Sequence, residues 1–336
     1  MRILIIRTSA LGDIVHCLPV LRALKRTHPD AEVGWAVEAP MAPVLEGHPD
    51  LDQIIPVHFR QWRHRPFQRA TRNELGGLYR ALRTFRADVA LDLMGNHKSA
   101  AVAALSRARR RIGARREDRR EPSSAIWINE PVAVHGVHAV DRALSIATAL
   151  DAEPVDVDFG GSAILQGGAE PPAEDFLLIH PGAGWPNKRY PARLWGQAAS
   201  DLEQRTGLPA LIVPGFGEES LAAEVVEHSN GSARTMSAPD LPDLAALLRQ
   251  ARMVLGADSG PLHLAHALGT PVLCLMGPTD PKRHGPYGAP DHALWTRLPC
   301  SFCYKRLDSP KACLQLLQTS AVADRAAQIL GVTAAH

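Results

Sequence analysis

ILIIRTSALGDIVH, residues 3–16, joins a short apolar run to a small polar turn near the start of the chain. The run Ile3–Ile6 is typical of a buried strand, and leucines then recur at helical spacing across residues 18–24. This pattern predicts a first parallel strand that passes into a helix, with Asp13 on the turn between them. Ligands of open α/β sheets bind at this carboxyl end of the strands. Asp13 is therefore a candidate base; alternatively, it only caps the helix.

Strand and helix patterns alternate through both halves of the chain, which predicts βαβ units and mostly parallel sheets. A Gly- and Pro-rich stretch around residues 152–173 interrupts the alternation. We therefore expect two similar α/β domains with a ligand cleft between them. The predicted strands are 3–6, 31–37, 51–57, 89–93, 176–180, 209–214, 253–257 and 271–276, and the predicted helices include 75–85, 99–105, 191–205 and 240–250.

Composition places the chain among soluble globular proteins, because 46% of its 336 residues are hydrophobic and 21% are charged. Its apolar runs are all well short of the ~20 residues that span a bilayer. The first residues also lack the apolar region and cleavage site of a signal peptide. Five cysteines, an odd number, favour reduced thiols. Together these features predict a cytoplasmic protein.

Positive charge is concentrated in one part of the chain. Residues 60–120 hold 17 Lys and Arg against 5 Asp and Glu, whereas the remainder holds 20 against 30. Such a region attracts an anionic partner: a nucleic acid, an anionic membrane, or a phosphorylated or carboxylated substrate. Arginine dominates over lysine, which favours bidentate recognition of carboxylate or phosphate. A solvated helical face without a partner is the alternative.

Two loops in the second half of the chain have features of phosphate-binding sites. The first, 180–188, follows a predicted strand, and its small residues let the backbone approach a ligand while Lys188 supplies a point charge. The second, 256–263, runs from a strand into a helix with Pro261 in the first turn, so free amides would face an anion. Both loops lie at the carboxyl ends of strands, and together they predict binding of a nucleotide diphosphate.

Segments spread over nearly the whole chain resemble glycosyltransferase family 9. Arg60, Arg63 and Arg120–Pro122 favour the members that add the first heptose to lipopolysaccharide. In chain order, the matching segments are Arg7–Asp13, Ile55–Val57 with Arg60, Trp62 and Arg63, Asp92, Gly95, Lys98–Ala101, Arg120–Pro122, His138 with Val140 and Arg142, the Lys188 loop, Pro214 with Glu218, Asp258–Gly260 with His263, Gly277–Pro281 and Gly285–Gly288.

The resemblance implies a GT-B fold, in which two Rossmann-like, doubly wound α/β domains face each other across a cleft. The implied organisation is an acceptor-binding domain at 1–155, a linker at 156–174, a nucleotide-sugar-binding domain at 175–318, and a C-terminal helix at 319–336 that packs back on the first domain. Peripheral association of the basic first domain with the anionic inner membrane is also expected.

The resemblance also implies a reaction and its residues. The donor is ADP-L-glycero-β-D-manno-heptose, the acceptor is a 3-deoxy-octulosonic acid (Kdo) residue of Kdo2-lipid A, and transfer inverts the anomeric carbon without a metal or cofactor. Asp13 is the catalytic base, and Lys188 stabilises the leaving diphosphate. The implied donor-binding residues are Gly12, Ala183, Gly184, Lys188, Glu218, Asp258, Ser259, Gly260, His263, Thr279 and Asp280, and the implied acceptor-binding residues are Arg60, Arg63, Lys98 and Arg120.

Three other functions stay open at this point. The chain could transfer another sugar within the same family, or it could be a sugar-nucleotide epimerase, which shares the GT-B fold. It could also bind nucleic acid through its Arg-rich region, although only 5% of its residues are aromatic.

Cys300, Cys303 and Cys313 are three thiols, one short of a four-ligand zinc site. Whether they bind a metal is left open.

Overall fold

The computed structural model describes residues 1–153, 157–168 and 172–332. It divides into two units, Met1–Leu165 and Gln166–His336. The division lies inside the predicted linker 156–174, of which residues 156 and 169–171 lie outside the described residues. In the described residues, each unit contains a six-stranded parallel sheet with flanking helices, as the alternating pattern predicted.

The first unit has a doubly wound sheet with strand order β3-β2-β1-β4-β5-β6. Its central strand β1 is apolar along almost its whole length because helices cover both faces of a parallel sheet. The strands are β1 (Arg2–Ile6), β2 (Glu32–Glu38), β3 (Gln53–Val57), β4 (Val89–Asp92), β5 (Arg110–Ala114) and β6 (Glu130–Val132). The helices are α1 (Leu11–Val15), α2 (Leu18–Thr27), α3 (Phe59–His64), α4 (Arg69–Phe85), α5 (His97–Ser106) and α6 (Ala139–Ala147).

Helix α4 shows how the first unit is packed. Its residues Leu78, Leu82 and Phe85 are buried in the same core cluster as sheet residues such as Leu4. The ring of Phe85 lies against β2 at Gly34, where a Cβ would approach its nearest ring atom to 2.9 Å. Glycine at this position therefore lets the helix pack closely on the sheet. The opposite face of α4 is exposed.

The second unit repeats the topology with strand order β12-β11-β10-β7-β8-β9. Its strands are β7 (Leu177–His180), β8 (Ala210–Ile212), β9 (Ala233–Thr235), β10 (Met253–Ala257), β11 (Val272–Met276) and β12 (Ala293–Trp295). Its helices are α7 (Ala192–Thr206), α8 (Glu219–Glu227), α9 (Leu241–Gln250), α10 (Gly260–Ala267), α11 (Pro281–His284), α12 (Ala312–Gln315) and α13 (Thr319–Leu330).

Each sheet has one point at which the strand order reverses. This point lies between β1 and β4 in the first unit and between β7 and β10 in the second. The loops that leave these neighbouring strands diverge to opposite faces of the sheet and open a crevice, where ligands of doubly wound folds bind. Asp13 follows β1, and Lys188 and Asp258 follow β7 and β10. The loops that carry these three residues therefore leave the carboxyl ends of their strands, as the sequence predicted, while their roles stay predictions.

Helix α13 differs from its predicted packing. Its buried residues Val322, Ala323 and Ala326 belong to the hydrophobic core of the second unit, together with Trp195 of α7. The family resemblance implied that this helix packs on the first domain, but the described part of the helix buries its apolar face in the second unit. Residues 333–336 lie outside the described residues.

Within the described chain, no helix combines the length and the apolar character needed to cross a membrane.

Candidate active site

Asp13 lies in the first turn of α1, directly beyond the carboxyl end of β1. Its Oδ2 accepts a hydrogen bond from the backbone N–H of Ala10 at 3.2 Å. Ala10 has no polar side chain to cap the helix, so Asp13 supplies the acceptor from within the turn. The capping role considered for Asp13 is thus realised. This hydrogen bond does not exhaust the accepting capacity of the carboxylate, because each of its oxygens carries two lone pairs.

Arg7 holds the other carboxylate oxygen. Its Nη2 lies 2.7 Å from Oδ1 of Asp13, and its Nη1 donates to the carbonyl of Leu93 at 2.6 Å, just beyond β4. Burial is the largest influence on the pKa of Arg7 and would lower it, but the charge and hydrogen bond of Asp13, together with the charges of Cys17 and Asp92, outweigh burial and the pKa is raised. The Arg7 side chain is 17% exposed and that of Asp13 is 37% exposed. The structure therefore presents an oriented carboxylate to solvent beside a largely buried guanidinium group.

The turn after β4 is fixed by a buried ion pair. Arg119 Nη2 lies 2.5 Å from Oδ2 of Asp92, and both side chains are fully buried. The other oxygen of Asp92 accepts the N–H groups of Met94 and Gly95, each at 3.0 Å. Arg120 follows directly in the chain and is exposed. The pair thus fixes the backbone that carries a predicted acceptor residue.

Glu38 organises a second group of predicted acceptor residues. It is buried at the end of β2, and the backbone N–H groups of Phe59 and Arg60 at the start of α3 act on its carboxylate and lower its pKa. Burial raises the pKa of Glu38, and the Arg60 N–H and the Lys98 charge only partly offset it. Lys98 Nζ lies 5.5 Å from the centre of the Phe59 ring. The structure thus brings Arg60 and Lys98 to one corner of the sheet, with Arg63 exposed on α3.

In the second unit, Asp258 is the centre of a buried polar cluster. Lys188 Nζ lies 2.6 Å from its Oδ2, to which the Thr279 hydroxyl also donates at 2.7 Å. His263 Nε2 lies 3.0 Å from Oδ1. Burial alone would raise the pKa of Asp258, but the hydrogen bond with His263 and the charge of Lys188 hold it well below its usual range. Asp258 is thus a permanent anion that positions its three neighbours.

The start of helix α10 has unused hydrogen-bonding capacity. Ser259 is its N-cap, but the Ser259 side chain makes no capping bond. Among the described residues, the buried Ser259 Oγ has no hydrogen-bond partner. Pro261 has no N–H to donate and the His263 N–H donates to the Ser259 carbonyl, so Gly260 and Leu262 carry the free amides of the first turn. This helix start can accept an anion, as its sequence predicted.

Glu218 occupies the space beside Gly182. Its Oε1 accepts Arg189 Nη2 at 2.7 Å, and its Oε2 accepts the N–H of Gly215 at 3.2 Å. A Cβ on Gly182 would lie 1.7 Å from Oε2, so this glycine makes room for the carboxylate. Arg189 Nε also donates to the carbonyl of Ala183 at 3.2 Å. Arg189 therefore ties the Lys188 loop to Glu218, a role that sequence reasoning missed.

Three further predicted residues have local structural roles. Asp280 caps α11 by accepting the N–H of Lys282 at 2.9 Å. Gly12 is buried within α1, and Gly184 is exposed, with open space where a Cβ would lie. The geometry therefore places Gly12 beside Asp13 in the first unit and the other predicted donor residues around Asp258 and Glu218 in the second.

The three cysteines near the end of the chain differ in exposure. Cys300 and Cys303 are exposed, and Cys313 is half-buried, with its Sγ 3.3 Å from where a Gly277 Cβ would lie. Burial raises the pKa of the Cys313 thiol. In the ranges 1–153, 157–168 and 172–332, no three His, Cys, Asp or Glu side chains are arranged to hold a metal ion.

Comparison with known proteins identifies the family. The sequence profile of glycosyltransferase family 9 (heptosyltransferase) matches residues 76–313. The chain belongs to glycosyltransferase family 9. It is 32% identical to lipopolysaccharide heptosyltransferase 1 of Pseudomonas aeruginosa over 311 residues, which make up 91% of this chain and 87% of that relative. It is 26% identical to lipopolysaccharide heptosyltransferase 1 of Escherichia coli K12 over 86% of this chain and 91% of that one.

A solved structure gives the same result for the fold. The E. coli heptosyltransferase WaaC with ADP superposes with a TM-score of 0.84 and 25% identity, covering 98% of this chain and all of that one. The family 9 resemblance and the GT-B fold that it implied are both confirmed. The chain is a glycosyltransferase. This identification displaces nucleic-acid binding as the main function of the Arg-rich region.

Proposed function

We propose that this family 9 glycosyltransferase transfers L-glycero-D-manno-heptose from ADP-heptose to a Kdo residue of Kdo2-lipid A. The observation that carries the proposal is the cluster around Asp258, which combines a lysine and an uncapped helix start at the carboxyl edge of the second sheet. This chemistry suits a diphosphate. The likeness to lipopolysaccharide heptosyltransferase 1 over 91% of the chain supports the choice of heptose and of lipopolysaccharide.

The donor binds in the second unit in this proposal. Lys188 contacts the diphosphate, and the Ser259 hydroxyl with the first amides of α10 receives phosphate oxygens. Glu218 accepts hydrogen bonds from the ribose hydroxyls. Asp258 is a positioning residue, because Lys188, Thr279 and His263 surround its carboxylate.

The acceptor binds at the carboxyl edge of the first sheet. Arg60, Arg63, Lys98 and Arg120 are exposed there and would meet the carboxylate and phosphates of a Kdo-bearing lipid. Asp92 holds the neighbour of Arg120 through its ion pair with Arg119, and Glu38 interacts with the backbone N–H of Arg60. A rigid arrangement of positive groups favours a fixed anionic headgroup over a diffuse polyanion.

Asp13 is the base in this mechanism. It accepts the proton of the attacking Kdo hydroxyl as the oxygen bonds to the anomeric carbon. The bond from that carbon to the ADP oxygen breaks on the opposite face, so the β-linked donor yields an α-linked product. The electron pair leaves with the diphosphate, whose growing charge Lys188 and the start of α10 stabilise.

Incubation of the purified protein with ADP-heptose and detergent-dispersed Kdo2-lipid A, followed by mass spectrometry, tests the proposal. The expected result is a mass gain of one heptose residue. A parallel arm offers acceptor that already carries one heptose, and transfer only in that arm would assign a later step. Donor alone forms the third arm, where isomerised donor would indicate an epimerase. No gain with either acceptor would overturn the proposed function.

Chelation should leave the transfer rate unchanged. The positive charge that the leaving diphosphate requires is supplied by Lys188 and the α10 amides, so a divalent cation has no necessary role. The rate is to be compared before and after exhaustive EDTA treatment, with Mg²⁺ added back as a control. A loss of more than about tenfold that Mg²⁺ restores would show that metal bears the leaving-group charge.

Replacement of Gly182 by alanine should weaken ADP binding by about tenfold or more. The new Cβ would overlap Glu218 Oε2, which must move and lose its present contacts with Arg189 and Gly215. Titration calorimetry of G182A, E218A and the double variant measures the effect. If Glu218 binds the ribose, the double variant should bind no more weakly than E218A. Additive losses would show that Gly182 contributes by a separate route.

A further inference from the structure

Helix α4 carries a row of arginines on its exposed face. Arg69 and Arg80 are eleven residues apart, as are Arg72 and Arg83, and eleven residues make about three helical turns. The four side chains therefore share one face of the helix. The opposite face is buried in the core of the first unit. None of these four arginines takes part in the proposed acceptor site.

An open cavity of about 490 Å³ lies at the C-terminal end of this row. It is lined by Arg2, Tyr79, Arg80, Arg83, Thr84 and Arg86. Arg2 is paired with Glu32 at 2.7 Å. In the part of the chain that the structure describes, the guanidinium groups of Arg80, Arg83 and Arg86 form no ion pair with a carboxylate. Three unneutralised charges around one open cavity favour an anion.

Exposed apolar side chains border the arginine row. Phe67, in the turn before α4, is 93% exposed, and Leu75 and Tyr79 on the helix are 44% and 41% exposed. Leu75 and Tyr79 are one turn apart and lie beside the row. A free anion would account for the guanidinium groups but not for an exposed Phe67. Basic and apolar side chains side by side are typical of a helix that lies on a lipid surface.

We propose that the exposed face of α4, together with Phe67 and the cavity at the helix end, docks the protein on an anionic phospholipid bilayer. Arg80, Arg83 and Arg86 receive lipid phosphates, and Phe67 enters the interface. This inference rests on the proposed function, because an acceptor carried by a lipid requires the protein to work at a bilayer. The turn between α3 and α4 joins this surface to the helix with Arg60 and Arg63, so docking would bring a lipid-borne acceptor beside them.

Vesicle co-sedimentation without substrates tests the docking surface. The test variant is Arg80→Gln/Arg83→Gln/Arg86→Gln, and the matched control is Arg107→Gln/Arg109→Gln/Arg116→Gln. Both remove three exposed charges from the first unit, and each includes one left-handed residue at a helix end, Arg86 or Arg107. Vesicles contain phosphatidylcholine alone or with about one third phosphatidylglycerol, in about 0.1 M salt.

The test variant should partition onto anionic vesicles at least about tenfold more weakly than the unchanged protein, and the control within about twofold. Phe67→Ser should weaken binding as well, and neutral vesicles should bind little. Equal losses in both triple variants would overturn the proposal in favour of diffuse charge. Unaltered binding by the test variant, or a stronger preference for duplex DNA than for anionic vesicles, would also overturn it.

The outcome is separable from that of the proposed function. The test variant should transfer heptose to detergent-dispersed acceptor within about twofold of the unchanged protein, since none of its three sites belongs to the proposed active site. If the unchanged protein transfers no heptose but the vesicle pattern holds, the proposed function fails and the docking surface stands. If transfer holds and the vesicle pattern fails, the docking surface alone is wrong.

Discussion

Replacement of Asp13 by asparagine is expected to slow heptose transfer by about 10²–10⁴-fold while ADP binding and folding are retained. The amide oxygen of asparagine can still accept the N–H of Ala10, so the cap of α1 is preserved. The amide cannot take a proton from the acceptor hydroxyl. The substitution therefore separates the two roles that the sequence left open for this residue, a helix cap and a base.

The measurements are the transfer rate under saturating donor, the affinity for ADP by calorimetry, and the midpoint of thermal unfolding. Asp243 offers a matched control because it occupies the same position in the first turn of α9 as Asp13 does in α1. D243N should transfer heptose at the unchanged rate. A D13N variant that retains more than about a tenth of the activity would show that Asp13 is only a cap.

Arg7 is a further residue that contacts the Asp13 carboxylate. It pairs with Asp13 and also holds the carbonyl of Leu93, so it links the loops after β1 and β4. No role was predicted for Arg7 from the sequence, because its contact with Leu93 depends on which strands become neighbours. The adjacency of β1 and β4 is a property of the strand order and has no local signal.

The fold was predictable where the local pattern is strong. The central strands β1, β4, β10 and β11 are apolar along most of their length, as buried parallel strands require, and their positions agree with prediction. Four strands were missed. β5 reads RRIGA, and its two arginines suggested an exposed basic patch instead. The remaining three are edge or near-edge strands of three residues each, namely β6, β9 and β12.

The candidate site was predictable in position but not in its internal connections. Carboxyl-end loops drew attention to Asp13, Lys188 and Asp258, and the structure places all three there. Burial was not readable from the sequence, so the three partners that surround Asp258 were not predicted. Glu38 was missed because the groups on α3 that act on it lie far from it in the chain.

Replacement of Lys188 by methionine is expected to lower the transfer rate by about 10²–10³-fold and to weaken ADP binding as well. The ammonium group has three protons, and only one is needed for Asp258. The Lys188 ammonium group also lies 4.7 Å from the centre of the Trp185 ring, which limits its movement. A pre-positioned charge of this kind stabilises a leaving diphosphate more than it stabilises the intact donor.

Lys25 is the matched control for this substitution. It is 17% exposed and lies 3.0 Å from Asp52 in the first unit, whereas Lys188 is 15% exposed and lies 2.6 Å from Asp258. K188M leaves a buried carboxylate with fewer partners and should lower the free energy of unfolding by about 1–3 kcal/mol. K25M should lower it by less, about 0.2–1 kcal/mol, because Asp52 is 43% exposed. Only K188M should lose transfer.

The pattern across donor analogues distinguishes a charge that acts on the diphosphate from one that merely orders the loop. If Lys188 meets the diphosphate, K188M should bind ADP far more weakly than the unchanged protein but bind adenosine equally well. A merely structural lysine would instead, once replaced, weaken both ligands alike, because the whole loop from β7 would shift. The contrary result would be equal losses of affinity for ADP and adenosine, with the transfer rate reduced no more than binding. Lys188 would then have no part in the chemical step, and the cluster around Asp258 would be structural only.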